Sequence, residues 1–157
     1  MRSGNGWRVD SERFVQMIDA MPLVSIDLVL VRDGREVLLG LSNNRPALGC
    51  WFVPGGRILK GETIAQARER IVRRELGESV PLDGWSLIGA FDHMYPDNFA
   101  GVPGVTTHYV VLGYRLDVTG LGPDVQADEQ HESLAWLGID DALARADVHD
   151  NTKAYLR

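Results

Sequence analysis

Between Trp51 and Gly77 the hydrophobic rhythm changes once, from a short apolar run to a helical pattern, with two glycines at the junction. Trp51-Phe52-Val53 predicts a strand ending at Pro54-Gly55-Gly56. Residues 63–76 predict a helix, with Ile64, Ala67, Ile71 and Leu76 on or near one face, Thr63 as its cap and Gly77 placed to end it. Lacking a Cβ, Gly55 and Gly56 let the backbone turn tightly and approach a ligand. Strand, glycine loop and helix in succession gather Gly55, Gly56, Glu62, Arg70 and Glu75 into one local unit, with Arg70 and Glu75 near the carboxyl end of the helix.

The remaining segments fit around this unit. Residues 11–20 carry Phe14, Met17 and Ile18 at helical spacing behind Ser11 as a cap, and predict a short amino-terminal helix. Residues 23–31 and 36–41 read as a hairpin joined through Arg32-Asp33-Gly34-Arg35, with Asp27 an acid in an otherwise apolar strand. Residues 43–49 read as a loop. Strands are expected at 87–92, 106–117 and 134–137, and short helices at 140–146 and 151–156. A polar loop over 120–128 leads into Asp128-Glu129-Gln130-His131. Mixed strands and helices indicate an α/β sandwich. At 157 residues and 45% hydrophobic content, with no repeat or linker, one domain spanning 1–157 is expected.

Charge and cysteine use narrow the function. With 22 acidic against 16 basic residues, the net charge of -6 disfavours general nucleic-acid binding, and an anionic substrate would need local cations or a metal. No apolar run nears the roughly 20 residues of a membrane span, and no secretory signal is visible at the amino terminus. The single cysteine, Cys50, has no His or Cys at ligand spacing and reads as a packing residue in a reducing cytoplasm, where the protein is expected.

The register Gly56, Glu62, Arg70, Glu75, Gly77 resembles the Nudix box, which reads Gly, five residues, Glu, seven residues, Arg-Glu-aliphatic, one residue, Glu-Glu, one residue, Gly. The resemblance implies a Nudix α/β/α sandwich with a mixed sheet. Two positions depart from it: Ile71 stands where the family has the first Glu of its helix and Arg74 where it has the second, leaving Glu75 alone of three. Fewer carboxylates suggest fewer ions, and one Mg²⁺ is the economical reading, with Mn²⁺ as the alternative.

The depleted box is similar to that of the GDP-mannose mannosyl hydrolases. The likeness extends through Pro22-Leu23-Val24-Ser25, Asn44-Arg45-Pro46-Ala47, Trp51 to Arg57, Thr106 to Gly113 and Asp128-Glu129-Gln130-His131. It implies Mg²⁺-dependent hydrolysis of GDP-mannose, or also GDP-glucose, by attack on the anomeric carbon, releasing GDP and the inverted free sugar. Matched residue by residue, the metal would be held by the backbone carbonyl of Gly55, the carboxylate of Glu75 and the amide oxygen of Gln130. His131 matches the general base, and an imidazole suits that role because it accepts a proton near neutral pH. Arg57 and Arg70 match supporting cations, with Arg70 equally readable as a structural partner of Glu75 or Glu62. Asp27, His93 and Tyr109 match site positions where a carboxylate can stabilise an oxocarbenium and a phenol can donate to the diphosphate. Each also has a plainer reading: hairpin register for Asp27, a satisfied core polar group for His93, sheet packing for Tyr109.

The resemblance breaks at Ser42, where that branch carries an Arg that helps bind the leaving diphosphate; Arg45, three residues later, is the substitute at hand. A one-residue insertion near Val102-Pro103-Gly104 and an altered loop through Pro123 flank candidate site residues. Two other functions stay open: ordinary Nudix cleavage to a nucleoside monophosphate and a sugar phosphate, which Ile71 and Arg74 disfavour, and a non-catalytic nucleotide-sugar-binding protein. The resemblance also implies a homodimer to which the amino-terminal helix contributes, although packing on its own core explains the Phe14, Met17, Ile18 stripe equally well.

Overall fold

The structure is a computed structural model that describes residues 10–120, 125 and 131–157, the stretch 131–133 in backbone only. Its elements run α1 (Ser11–Ala20), β1 (Leu23–Arg32), β2 (Glu36–Ser42), β3 (Trp51–Phe52), β4 (Gly55–Arg57), α2 (Ile64–Leu76), β5 (Ser86–Tyr95), β6 (Thr107–Val118), β7 (His131–Gly138), α3 (Ile139–Ala144) and α4 (Asp150–Lys153). The strands form one seven-stranded sheet, ordered β3-β2-β1-β6-β5, with β4 also on β1 and β7 also on β2. The β1–β6 pair is parallel and the others are antiparallel, so the sheet is mixed.

Strand alternation sorts the apolar residues of β1 onto two faces. Ile26, Leu28 and Leu30 join Ala67, Ile71, Val72 and Leu76 of α2 in one buried cluster. Val29 and Val31 join Val37, Leu39, Ala142 and Tyr155 in a second, on the opposite face under α3 and α4. Helices thus cover both faces of the sheet, the α/β sandwich expected.

Local chemistry accounts for the element ends. Asp33 and Gly34, the central residues of the turn that the Arg35 N–H closes on the Arg32 carbonyl at 3.0 Å, both take positive φ, 53° and 66°. The hairpin holds for only two rungs, Val31↔Val37 and Arg32↔Glu36, before β1 passes to β4. Thr63 caps α2 reciprocally: its hydroxyl accepts from the Gln66 N–H and the Gln66 side chain accepts from the Thr63 N–H.

The structure corrects several expectations. Asp10, and not Ser11, caps α1, its carboxylate accepting from the Arg13 N–H at 2.9 Å. Ile64 is 47% exposed, and Val72 takes its place on the buried face of α2. The Gly55-Gly56 pair is a strand paired to β1, with Ser25↔Arg57, Ile26↔Gly56 and Asp27↔Gly55. Glycine serves there as a close-approach residue inside the sheet: a Cβ on Gly55 would fall 2.5 Å from the Ile26 carbonyl oxygen. β5 runs on to Tyr95, and the final helix ends at Lys153. On its own chain, α1 buries Ile18 against Leu23 and Val105.

Candidate active site

The sheet register builds a cleft. Asp27 pairs with Gly55 on one side and Gly113 on the other, and Ser25 pairs with Arg57 and Val111. In β5 and β6, Phe91 pairs with Val111 and His93 with Tyr109. Paired residues share a face of a sheet, so Ser25, Asp27, Arg57, His93, Tyr109 and Val111 rise together from one surface. They line a cavity of about 400 Å³ together with Phe14 of α1, Phe52 and Tyr95. Of the residues singled out in the sequence, Asp27, Gly55, Arg57, His93 and Tyr109 lie in this wall, as does Ser42.

Asp27 is the acid among these lining residues. Its Oδ2 accepts from the Tyr155 hydroxyl at 2.8 Å and lies 4.0 Å from His93 Nδ1. Burial pushes the Asp27 carboxyl up to about 7, partly offset by the Tyr155 hydrogen bond. The same burial, with His149 nearby, pulls the His93 imidazole down to about 4 against the opposing pull of Asp92, so His93 is neutral at neutral pH. Burial raises the Tyr109 phenol, with Arg57 opposing, and pushes Tyr95 up to about 12, with its Asn151 hydrogen bond opposing. Both phenols therefore keep their protons and can donate.

Arg57 is the cation of the wall. Burial lowers its guanidinium from the ordinary arginine value, Tyr109 acts in the opposite direction and Arg70 in the same one. It stays charged and lies over the Phe14 ring at 4.7 Å. Its backbone is fixed from behind: Arg70 Nη2 donates to the Arg57 carbonyl at 2.8 Å. Arg70 also makes a two-pronged contact with Glu62, at 2.7 Å from Nε and 2.9 Å from Nη2, and Glu62 accepts from the Leu59 N–H at 2.8 Å. Between the two partners left open for Arg70, the structure gives Glu62. Arg70 and Glu62 are thus the brace that holds β4 and the loop after it, outside the cleft wall.

The two departures from the box have separate physical roles. Ile71 is 1% exposed and supports Gly56, whose added Cβ would meet Ile71 Cγ1 at 3.2 Å. Arg74 faces solvent. The helix therefore offers one buried carboxylate, Glu75, at 2% exposure in its last turn. Among the described residues, no three His, Cys, Asp or Glu side chains gather as a metal cluster. Gln130 and the side chain of His131 lie outside the described residues, as does most of the 120–128 loop. The backbone of His131 pairs with Ser42, which lines the cavity. Arg45 is 54% exposed at its side chain, 3.7 Å from Asp97, and is not part of the cavity wall.

Sequence reasoning missed Tyr155, Tyr95 and Phe14 as members of this site. Phe14 was visible only as part of an apolar helical stripe. Tyr155 follows a four-residue helix and reaches a residue 128 positions away, a separation that leaves no spacing signal.

Comparison with known proteins places this architecture. The NUDIX domain family matches residues 21–157. The chain is 37% identical over 128 residues to the low-salt glycan biosynthesis protein Agl8 of Haloferax volcanii, covering 81% of this chain and 78% of that protein. It is 26% identical over 137 residues to the ADP-ribose pyrophosphatase of Methanocaldococcus jannaschii, covering 87% and 74% respectively. The solved MutT NUDIX hydrolase of Burkholderia pseudomallei is similar at 29% identity with a TM-score of 0.65, over 87% of this chain and 96% of that one. Among the described residues no helix is long and apolar enough to cross a membrane.

Proposed function

We propose that this chain, which belongs to the Nudix hydrolase family, hydrolyses a nucleotide sugar, GDP-mannose or GDP-glucose, at the anomeric carbon and releases GDP and the inverted free sugar. The observation that carries the reading is the box helix itself. Ile71 is committed to the core and Arg74 to solvent, so Glu75 is the one buried carboxylate where diphosphate-cleaving relatives of the box carry three. A site with so little negative charge suits one ion on the leaving diphosphate better than several ions activating attack on phosphorus. The glycan biosynthesis role in the name of the Haloferax volcanii relative agrees with a nucleotide-sugar substrate.

The family generally uses a divalent metal such as Mg²⁺ or Mn²⁺. The donors fit such an ion: Glu75 is a buried carboxylate, and Gly55 is pressed so closely to β1 that a Cβ would collide with Ile26 and Asp27. The Gly55 carbonyl, Glu75 and Gln130 would hold it. Bound there, Mg²⁺ supplies neutralising charge to the departing diphosphate.

The chain's own residues supply the rest. His131 accepts a proton from water as the water oxygen bonds to the anomeric carbon. The bond from that carbon to the diphosphate oxygen breaks, and its electron pair leaves with GDP. Arg57 and Tyr109, a cation and a neutral phenol on the two strands that flank β1, donate to diphosphate oxygens. The Asp27 carboxylate faces the positive charge that develops on the sugar. His93, uncharged, orients without adding a second positive charge beside that centre.

A panel of GDP, UDP and ADP sugars, each with Mg²⁺ or Mn²⁺, tests the reading. Free sugar and nucleoside diphosphate are expected from GDP-mannose. A nucleoside monophosphate and a sugar phosphate would return the protein to ordinary Nudix cleavage, and tight metal-dependent binding without turnover would make it a binding protein.

A further inference from the structure

The segment after α4 touches the acid of the cleft lining through one hydroxyl, that of Tyr155 on Asp27. Tyr155 is 6% exposed. Its ring stands edge-on to Phe91 at 5.0 Å and covers Gly113, where an added Cβ would come within 3.0 Å of Tyr155 Cε1. The absence of a side chain at Gly113, the residue beside Asp27 in the β1–β6 ladder, is what admits the ring.

The segment that carries Tyr155 is tied to the strand next to the glycines. The Trp51 N–H donates to the Asp147 carbonyl at 2.7 Å, and the His149 N–H donates to the Trp51 carbonyl at 3.1 Å. The Thr152 hydroxyl, 1% exposed as a residue, accepts from the Val53 N–H at 3.3 Å. The Tyr155 N–H then closes onto the Thr152 carbonyl at 3.0 Å. Backbone and ring are both fixed, so the hydroxyl has one place to be.

That place is Oδ2 of Asp27, at 2.8 Å. His93 Nδ1, at 4.0 Å from the same oxygen, is beyond hydrogen-bond range. The other oxygen lies on the Gly55 side, since a Cβ on Gly55 would fall 2.6 Å from Oδ1. We propose that Tyr155 is a positioning residue: its hydroxyl holds Oδ2 so that the Asp27 carboxyl keeps one rotamer, with Oδ1 turned toward the Gly55 edge of the cleft. A carboxyl on a short side chain has two-fold freedom about its last torsion, and one fixed hydrogen bond at a buried oxygen removes it. This rests on the reading of Asp27 as a group that faces the substrate.

Tyr155→Phe keeps the ring packing and removes only the hydroxyl. In the full chain with Mg²⁺ and the nucleotide sugar that the panel identifies, kcat is expected to fall about tenfold, the scale of one hydrogen bond to a charged group, with KM within about twofold. In an Asp27→Ala background the same substitution is expected to cost nothing further, because the group it holds is gone. Independently of activity, the Asp27 carboxyl carbon resonance is expected to move in Tyr155→Phe. Full kcat in Tyr155→Phe, an equal loss in the Asp27→Ala background, or an unmoved Asp27 resonance would each overturn the proposal. The failures separate: full kcat in Asp27→Ala removes Asp27 from the reaction, whereas loss in Asp27→Ala with full kcat in Tyr155→Phe removes Tyr155 alone.

Discussion

Asp27 and Gly55 face each other across the β1–β4 ladder so closely that a Cβ on Gly55 would lie 2.6 Å from Asp27 Oδ1 and 2.5 Å from the Ile26 carbonyl oxygen. The second contact is with backbone, which cannot rotate away. Gly55→Ala is therefore expected to push β4 off β1, costing about 1–3 kcal/mol as an overpacked site does, and to remove most activity by displacing Arg57. Chemical denaturation checks the first part and turnover the second. An alanine variant as stable and active as the parent would show that β4 yields freely.

Asp27 is expected to make the protein less stable at neutral pH. Burial raises its carboxyl from an ordinary 3.8 to about 7. The unfolded chain then ionises first, so the contribution of this group is fully present below about pH 4 and is lost as pH rises through 7. Asp27→Asn, compared with the parent in chelator, is expected to raise the unfolding free energy from chemical denaturation at pH 8, by an amount on the order of a few kcal/mol at most, and to leave it little changed at pH 4. His93, whose depressed value gives the opposite slope between about 4 and 6.5, is present in both proteins and cancels in the difference. An identical difference at the two pH values would contradict the assignment.

Arg70→Lys is expected to behave as a disruptive change. Lysine keeps the charge but cannot span both Glu62 oxygens and the Arg57 carbonyl as the guanidinium does at 2.7, 2.9 and 2.8 Å. A stability loss of about 1–2 kcal/mol and weaker substrate binding through Arg57 are expected. Denaturation and KM measure the two; parental values for both would return Arg70–Glu62 to an inert surface pair.

His131→Gln is expected to lower kcat far more than it raises KM. A base acts on the attacking water and adds little to ground-state binding. Single-turnover kinetics with the preferred nucleotide sugar reads this split, and unchanged turnover would remove His131 from the role.

What the sequence made legible is local. The Thr63–Gln66 cap, the helix to Leu76 and the Asp33-Gly34 turn each depend on residues within a few positions, and the structure has them. The pairing of β4 was hidden because glycine is read as a turn residue, and its partner strand lies about 28 residues earlier. Arg70 had two carboxylates in reach on the sequence. The fold decides for Glu62 because the loop after β4 brings Glu62 back over the helix, where it also accepts from Leu59. Asp27 was visible as an acid in an apolar strand, yet its partner Tyr155 comes from the opposite end of the chain. Register explains why Asp27, Arg57, His93 and Tyr109 share one wall; sequence alone could reach that only through resemblance.

The central claim concerns which bond is broken, and hydrolysis of GDP-mannose in ¹⁸O-labelled water tests it most directly. Attack at the anomeric carbon predicts free sugar together with GDP that carries no label by mass spectrometry. Label in a phosphate group of GDP, or in GMP or a sugar phosphate, would place the attack on phosphorus and contradict the account.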